Sequence, residues 1–159
     1  KQPRLGVSTL INGYRISSHK QDMDIKVIHD YLSQSYWAKN IPLSTLQKAL
    51  DNSLCFGVFT ATGQQVGFAR MITDLATFAY LADVFILPEH RGKGLSKWLM
   101  EVISQHPDLT GLRRITLATS DAHGLYQQFG FTPLASPQSF MERHQPNVYQ
   151  THLDQVPEG

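Results

Sequence analysis

Apolar residues follow two different spacings along the chain, and each spacing predicts one type of element. Where they recur every three or four positions, as from Ile25 through Ile28 to Leu32, the pattern indicates one face of a helix. This spacing predicts helices over residues 24–34, 44–50, 94–105 and 122–129. The candidate caps are Asp22 or Asp24 for the first helix, Ser44 for the second, and Ser120 or Asp121 for the last.

Alternating and continuous apolar runs predict the strands. A short strand is predicted over residues 13–19, and the runs 54–60 and 65–72 flank a turn containing Gly63, which predicts a hairpin. Further β-type runs follow at residues 78–87, 114–118, 131–134 and 140–143. The order βαα-βββ-α-β-α-ββ predicts an α/β (α+β) domain with a mixed sheet and a core over residues 13–143. Residues 1–12 are interpreted as a loose leader and residues 145–159 as a loosely ordered tail.

One strand–helix–strand unit, over residues 78–118, predicts a parallel crossover. The junction between its first strand and its helix reads Arg91-Gly92-Lys93-Gly94-Leu95-Ser96. Glycines let the backbone approach a ligand closely, and the free N–H groups of a helix start attract an anion, most often a phosphate. The junction therefore predicts an anion site; ordinary turn geometry, or a solvated basic loop, is the alternative.

Two common phosphate-binding signatures are absent from this junction. A Walker loop requires Ser or Thr directly after its lysine, whereas Gly94 follows Lys93. The dinucleotide fingerprint requires a third glycine, and Lys97 stands at that position. The expected anion therefore belongs to neither of these two ligand classes.

Composition and charge narrow the function classes. The 159 residues are 42% hydrophobic and 17% charged, which is typical of a single globular domain, here residues 1–159. A net charge of +1 argues against a nucleic-acid partner. The single Cys55 lies in an apolar run, which indicates a core residue, and the absence of a disulfide framework favours a reducing, cytoplasmic location. Neither a membrane nor a metal is expected, because no long apolar run and no metal-ligand spacing of the histidines is present.

Two segments together resemble the GCN5-related N-acetyltransferase (GNAT) superfamily. One runs from Val84 to Ser96 around the glycine junction, and the other runs from Ala122 to Phe131 around Tyr126. The similarity covers roughly residues 13–143. It departs from the family's pyrophosphate signature at Glu89 or at Ser96, depending on the register, and it has Thr119 where the family commonly has Asn. The resemblance implies a GNAT-like fold, with a mostly antiparallel sheet splayed between the fourth and fifth predicted strands.

The resemblance makes acetyl-CoA the expected cosubstrate. In this family the junction binds the pyrophosphate, and the pantetheine arm lies between the splayed strands, here beside residues 84–86 and 117–119. An N–H near Phe85 is the implied oxyanion donor. The implied donor-binding residues are Val84, Phe85, Ile86, Arg91, Gly92, Lys93, Gly94, Leu95, Ser96 and Thr119.

Tyr126 and Asp83 are the implied catalytic residues. A phenol can protonate the thiolate that leaves when an amine attacks a thioester, because its ordinary pKa of about 10, against about 8.5 for a thiol, keeps it in the protonated form at neutral pH. A core aromatic residue is the alternative for Tyr126. Asp83 lies in an otherwise apolar strand and could act as a base or bind the substrate ammonium; the alternative is a pair with Arg70 on the neighbouring strand. His123 is a weaker candidate base.

The acceptor is expected near the first two helices and the loop between them. Arg70 could bind a substrate carboxylate, or it could be an ordinary surface charge. The aromatic residues could equally pack between the helices and the sheet. The candidate acceptor-binding residues are Tyr36, Trp37, Arg70 and Tyr80, with Tyr31 as a further aromatic candidate.

These residues predict an acyltransferase that moves an acetyl group from acetyl-CoA to a primary amine of a small or amino-acid-like acceptor. Direct transfer in a ternary complex is expected, since Cys55 is a poor candidate for an acyl-enzyme. Two alternatives stay open, a non-catalytic acyl-CoA-binding sensor and a protein or peptide amine acetyltransferase. The exposed final strand of the predicted sheet would allow a homodimer.

Overall fold

A computed structural model describes residues 8–150 of the protein. Every helix predicted from the apolar spacing is present, with ends that differ by up to two residues from the prediction. The helices are α1 (Ile25–Leu32), α2 (Leu43–Asp51), α3 (Leu95–Ser104) and α4 (His123–Gln127). The strands are β1 (Leu10–Ile11), β2 (Tyr14–Ser17), β3 (Leu54–Phe59), β4 (Gln65–Thr73), β5 (Phe78–Ile86) and β6 (Arg114–Leu117).

These strands form one sheet, in the order β1-β2-β3-β4-β5-β6. Neighbouring strands from β1 to β5 pair antiparallel, whereas β5 and β6 pair parallel. A parallel pair needs a crossover connection, and α3 lies in that connection. The mixed, mostly antiparallel sheet with flanking helices confirms the predicted fold class.

Each face of the sheet carries its own apolar cluster. On one face α3 packs on the strands through Leu95, Leu99 and Ile103, together with Met71 and Leu81 of the sheet. On the other face α1 and α2 pack on a second cluster, which contains Ile28, Leu32, Leu46, Phe68 and Phe85. The loop that enters α3 and the loop between α1 and α2 therefore approach β5 from opposite faces.

Helix capping agrees with the sequence at α1 and differs elsewhere. Asp24 caps α1, since its Oδ1 accepts from the N–H groups of Lys26 at 3.1 Å and Val27 at 3.3 Å. The predicted cap Ser44 is wrong, because α2 begins one residue earlier and Pro42 occupies the cap position. At α4 neither Ser120 nor Asp121 caps the helix; Ala122 occupies the cap position without a side-chain hydrogen bond.

The predicted loose leader is wrong at its end nearest the core. Leu10 and Ile11 form β1, which pairs with β2 through a two-residue turn at Asn12 and Gly13. Both turn residues have positive φ, 51° and 82°, as a type I′ hairpin requires, and Asn-Gly is a preferred sequence for that turn. The Asn12-Gly13 dipeptide therefore indicates a hairpin that the spacing of the apolar residues does not reveal. Residues 1–7 lie outside the described part of the chain.

No strand follows β6 among residues 118–150, so the strands predicted over residues 131–134 and 140–143 are wrong. Pro133 has no N–H to donate to a sheet, and Pro137 begins a short 3-10 turn. Phe140 packs instead beneath the guanidinium of Arg114, whose central carbon lies 5.1 Å from the ring centroid. Within the described chain β6 is therefore an edge strand.

The tail contributes to the second apolar cluster. Tyr149 packs against this cluster, and Asn40 donates from its side-chain amide to Gln150 Oε1 at 3.2 Å. Tyr149 and Gln150 thus hold the end of the described chain against the α1–α2 side, whereas residues 151–159, the rest of the tail that the sequence predicts to be loosely ordered, lie outside the described residues.

Candidate active site

A gap between β5 and β6 is the feature around which the candidate residues gather. The two strands pair from Phe78 opposite Arg114 to Leu81 opposite Leu117, and the described residues contain no pairing beyond that point. β5 continues to Ile86, five residues past the last pair. The edge of residues 82–86 therefore faces a gap instead of a strand, and an extended ligand can hydrogen-bond there.

The glycine junction lies at the carboxyl end of β5. Gly92 and Gly94 have left-handed φ values of 78° and 74°, and Gly94 occupies the cap position of α3. Within residues 8–150, the amide N–H groups of residues 92–97 have no hydrogen-bond acceptor, whereas the N–H of Arg91 already donates to the carbonyl of Pro88. Consecutive free donors at a helix start favour an anion.

The basic side chains of the junction bind other parts of the protein. Arg91 donates through Nε to the carbonyl oxygen of Ile86 at 2.9 Å and through Nη2 to the hydroxyl of Tyr31 at 3.1 Å. Lys93 Nζ donates to the hydroxyl of Tyr14 at 3.2 Å. These contacts brace the junction against β5, α1 and β2, and they leave the backbone N–H groups of residues 92–97 available to an anion.

Tyr126 lies on α4 at the border of the α3-face cluster. Its side chain is buried and packs edge-on against Phe131, with the ring centroids 6.0 Å apart. Its hydroxyl has no hydrogen-bond partner within the described residues 8–150. Burial raises the pKa of Tyr126 above its ordinary value, and the neighbouring Asp121 and Tyr36 raise it further. The phenol therefore stays protonated through the neutral pH range.

Asp83 lies in a β-bulge. Phe68 is opposite Phe85 and Arg70 is opposite Ala82, so Asp83 and its successor together face a single residue of β4. Asp83 has a φ of 59°, in the left-handed region that Asp tolerates better than most residues. Asp83 and Phe85 both face the α1–α2 side of the sheet.

Both carboxylate oxygens of Asp83 have donors. Trp37 Nε1 donates to Oδ1 at 2.9 Å, and Arg70 Nε donates to Oδ2 at 2.8 Å. The residue is buried, with 9% of its surface exposed. Arg70 also donates through Nη1 to Ser53 Oγ at 3.1 Å. The pair with Arg70, one of the roles that the sequence leaves open, is therefore present.

Tyr36 and Trp37 connect the two sides of the gap. The Tyr36 hydroxyl lies 3.0 Å from Ser120 Oγ, in the segment between β6 and α4. The Tyr36 ring packs edge-on against Trp37, with centroids 5.1 Å apart, and Trp37 bonds to Asp83 on β5. Tyr31 stacks on Phe85 at a centroid distance of 4.0 Å. The structure thus brings the predicted loop aromatics beside Asp83.

Two further predicted residues take positions apart from this group. Thr119 Oγ1 accepts from the N–H of Ala122 at 3.0 Å and so stabilises the entry to α4, next to the gap. Tyr80 is half-buried on β5, opposite Ile72, and no hydrogen bond or ring contact within residues 8–150 joins it to the loop aromatics.

Comparisons with known proteins agree with this geometry. The family described as "Acetyltransferase (GNAT) domain" matches residues 51–133. A curated relative from Gibberella zeae, named as an acetyltransferase, is 36% identical over 135 residues, which are 71% of this chain and 75% of the relative. The chain belongs to the GNAT family of acetyltransferases.

Solved structures of GNAT proteins extend this assignment to the fold. A Xanthomonas campestris protein described as a GNAT-family acetyltransferase superposes with a TM-score of 0.83 at 59% identity, over 86% of this chain and 96% of that chain. A Clostridium acetobutylicum protein described as an acetyltransferase, with a structure containing acetyl-CoA, superposes with a TM-score of 0.59 at 14% identity. It covers 82% of this chain and 94% of that chain, and at this identity it supports the fold alone.

Cys55 of this GNAT acetyltransferase lies in the core of the α1–α2 face. Burial raises the pKa of its thiol to about 11, so the thiolate, which is the nucleophilic form, is scarce at neutral pH. Within residues 8–150, no group of three His, Cys, Asp or Glu side chains could hold a metal ion. None of the helices in this part of the chain is both long and apolar enough to cross a bilayer.

The sequence did not reveal two residues that shape the GNAT site. Ser53 binds Arg70, and Ser120 binds Tyr36. Their partners lie 17 and 84 positions away along the chain. Contacts this distant leave no local pattern, so only the fold could identify them.

Proposed function

We propose that the protein is an acetyl-CoA-dependent N-acetyltransferase. It moves an acetyl group to a primary amine of a small or amino-acid-like acceptor, by direct transfer within a ternary complex. The observation that carries the proposal is the gap between β5 and β6. Unpaired amides at the junction lie at the end of β5, and Tyr126, whose hydroxyl has no partner within residues 8–150, lies on the helix that follows β6.

The residues of the gap fit the donor. Two linked phosphates need several hydrogen bonds at once, and the consecutive amides of residues 92–96 can supply them. The pantetheine arm can pair with Val84, Phe85 and Ile86 on one side and with residues 117–119 on the other. Support comes from the acetyl-CoA bound by the Clostridium acetobutylicum protein of the same fold.

Chemistry at the gap would proceed in one transfer. The amine nitrogen forms a bond to the thioester carbonyl carbon, the C–S bond breaks, and the departing sulfur takes a proton from the Tyr126 hydroxyl. The raised pKa of Tyr126 keeps that proton in place until the thiolate forms. An N–H near Phe85 would donate to the oxyanion that develops on the carbonyl. Water takes the proton released by the amine, and solvent returns a proton to the Tyr126 phenolate after the transfer.

The acceptor would bind on the α1–α2 side, beside Tyr36 and Trp37. These rings are 74% and 41% exposed, so they can contact a ligand. The same proposal takes residues 1–159 as a single domain that acts in the cytoplasm, without a metal or a nucleic-acid partner. The free edge of β6 would allow a homodimer.

Binding and turnover test this function separately. Calorimetry should detect CoA and acetyl-CoA binding with dissociation constants in the range of about 1 μM to 1 mM. A thiol reagent should then report CoA release when acetyl-CoA is mixed with small primary amines. Buried Cys55, with its pKa near 11, should add little background.

Each alternative has its own outcome in this experiment. No CoA binding would overturn the acetyl-CoA-dependent function. Binding without thiol release for any amine would favour the non-catalytic sensor. Release with peptides, but not with small amines, would favour a protein or peptide acetyltransferase.

A further inference from the structure

Both oxygens of the Asp83 carboxylate already accept a hydrogen bond, from Trp37 at 2.9 Å and from Arg70 at 2.8 Å. The residue is also buried, so its donors shield both oxygens from an incoming amine. Protonation would leave the guanidinium of Arg70, whose side chain is 15% exposed, without its counter-charge. The geometry therefore commits Asp83 to its ion pair with Arg70 and its hydrogen bond from Trp37.

The anchor behind Asp83 extends to α2. Arg70 donates to Ser53 Oγ, and Ser53 Oγ donates to the carbonyl of Ala49 in the last turn of α2 at 2.7 Å. The guanidinium is thus held by Ser53 at Nη1 as well as by the carboxylate at Nε. A charge fixed in this way serves to hold another group in place.

The group that it holds is the indole of Trp37. The loop between α1 and α2 is braced by its own backbone bonds, since Asn40 N–H donates to Ser33 O at 2.9 Å and Ile41 N–H donates to Ala38 O at 3.0 Å. The bond from Nε1 to Asp83 is therefore not needed to set the path of the loop. It sets the plane of a large ring that is 41% exposed at the candidate acceptor site.

We propose that Asp83 is a positioning residue of the acceptor site and is not the base of the reaction. It holds the Trp37 indole in one orientation, and the face of this ring limits where the incoming amine can bind. This inference rests on the proposed N-acetyltransferase function. It assigns acceptor specificity to the orientation of Trp37. It also explains why an acidic residue occupies the left-handed position of the bulge, because the bulge turns that side chain toward the α1–α2 loop.

The contact itself can be measured without any substrate. Trp37 and Trp98 are the two tryptophans of the chain, so the proton NMR spectrum should contain two indole N–H signals. The signal that disappears in Trp37→Phe belongs to Trp37. Trp98 Nε1 donates to the carbonyl of Ser8 at 2.7 Å, away from Asp83, and serves as the internal control. In Asp83→Asn, an NH2 group replaces one of the two oxygens and cannot accept a hydrogen bond, and the charged Arg70 should keep the oxygen that remains. Hydrogen exchange of the Trp37 indole should therefore become at least tenfold faster, with that of Trp98 unchanged.

Kinetics then separate positioning from base catalysis. Asn tolerates the left-handed backbone and cannot act as a base, so Asp83→Asn is a conservative probe. Positioning predicts that KM for the amine rises about tenfold while kcat stays within about threefold. Trp37→Phe should give the same change, and the double variant should be no worse than Trp37→Phe alone. Asp30→Asn, an exposed carboxylate on α1, is the matched control and should resemble the wild type.

Two results would overturn the proposal. One is an unchanged Trp37 indole signal in Asp83→Asn, whatever the kinetics. The other is a fall in kcat of at least a hundredfold in Asp83→Asn with KM unchanged, while Trp37→Phe resembles the wild type, which would identify a base. Failure of the parent function differs from both, because the wild-type protein would then release no thiol while the indole measurement still reported the contact.

Discussion

The two faces of β5 offer different kinds of groups to the candidate site, backbone N–H groups on one face and side chains on the other. On one face, the donor half (residues 84–96 and α3), a single continuous segment presents backbone N–H groups to the gap. On the other face, the acceptor half (residues 31–42 with Arg70 and Asp83), side chains from three separate segments meet through hydrogen bonds. Tyr126 approaches the gap from a third element, α4.

This difference predicts how each half responds to substitution. A site made of backbone amides depends on the φ and ψ values of the segment, so most side-chain changes leave it intact. A site made of side chains changes with any one of its members. The donor half should therefore be robust, and the acceptor half should be the place where substrate preference is set.

Substitution of Tyr126 should lower turnover more than the other changes, because the substrates bound in both halves depend on the proton transfer assigned to this residue. Tyr126→Phe keeps the ring and its packing on Phe131 but removes the proton. Turnover should fall by about a hundredfold, within the range known for general acids, while the dissociation constant of CoA changes little. Thiol release at saturating acetyl-CoA and calorimetry measure the two quantities.

The pH dependence of kcat tests whether Tyr126 acts in its protonated form. Since burial raises the pKa of Tyr126, the wild-type enzyme should not lose kcat as the pH passes through the ordinary tyrosine value of about 10. Turnover by Tyr126→Phe equal to that of the wild type would remove the assigned acid and leave the gap without a proton donor.

A backbone change should give the next largest effect, confined to the donor half. Gly94 has a φ of 74° at the start of α3, and an alanine there meets backbone strain of about 1–2 kcal/mol although its Cβ has open space. Gly94→Ala should lower the unfolding free energy by about that amount and weaken CoA binding by roughly fivefold to tenfold. Gly124→Ala is the matched control, because Gly124 lies in α4 with open space and without a positive φ. Calorimetry and thermal unfolding give the two readouts.

Substitution of Lys93 tests whether the donor half binds CoA through its backbone and not through its side-chain charge. Because Lys93 is exposed and bonded to Tyr14, Lys93→Met should weaken CoA binding by only about threefold, and less at higher salt. A loss larger than that of Gly94→Ala would show that the donor half depends on its side chains after all.

The same difference explains how far the sequence alone reaches. The donor half lies in one continuous segment, so the glycines of the junction could be predicted from local pattern, whereas Tyr126 was predicted from the family resemblance of its own segment on α4. The bulge at Asp83 could not be predicted, because its position depends on the pairing between β4 and β5. The Ser53–Arg70 and Tyr36–Ser120 contacts join distant parts of the chain and were equally hidden. The strands predicted after Phe131 failed for a local reason, the prolines at 133 and 137.

Substitution of Cys55 should have the smallest effect on turnover. It tests whether acceptor binding depends only on the named side chains of the acceptor half or on any change in the surrounding structure. The Cα of Cys55 pairs with Arg70 in the sheet, yet the residue is 1% exposed and its thiol donates to the backbone carbonyls of Leu50 and Ser53. Cys55→Ala should leave kcat and KM unchanged and cost roughly 1 kcal/mol of stability through the lost packing. Folded wild-type protein should resist alkylation at pH 8. Because the folded pKa of about 11 exceeds the unfolded value of 9.0, the stability contributed by the neutral thiol is complete below pH 9 and is lost between pH 9 and 11, a loss absent from Cys55→Ala. A changed KM would instead show that small shifts of β3 reach Arg70 and Trp37, and the boundary of the acceptor half would then have to include the strand beneath it.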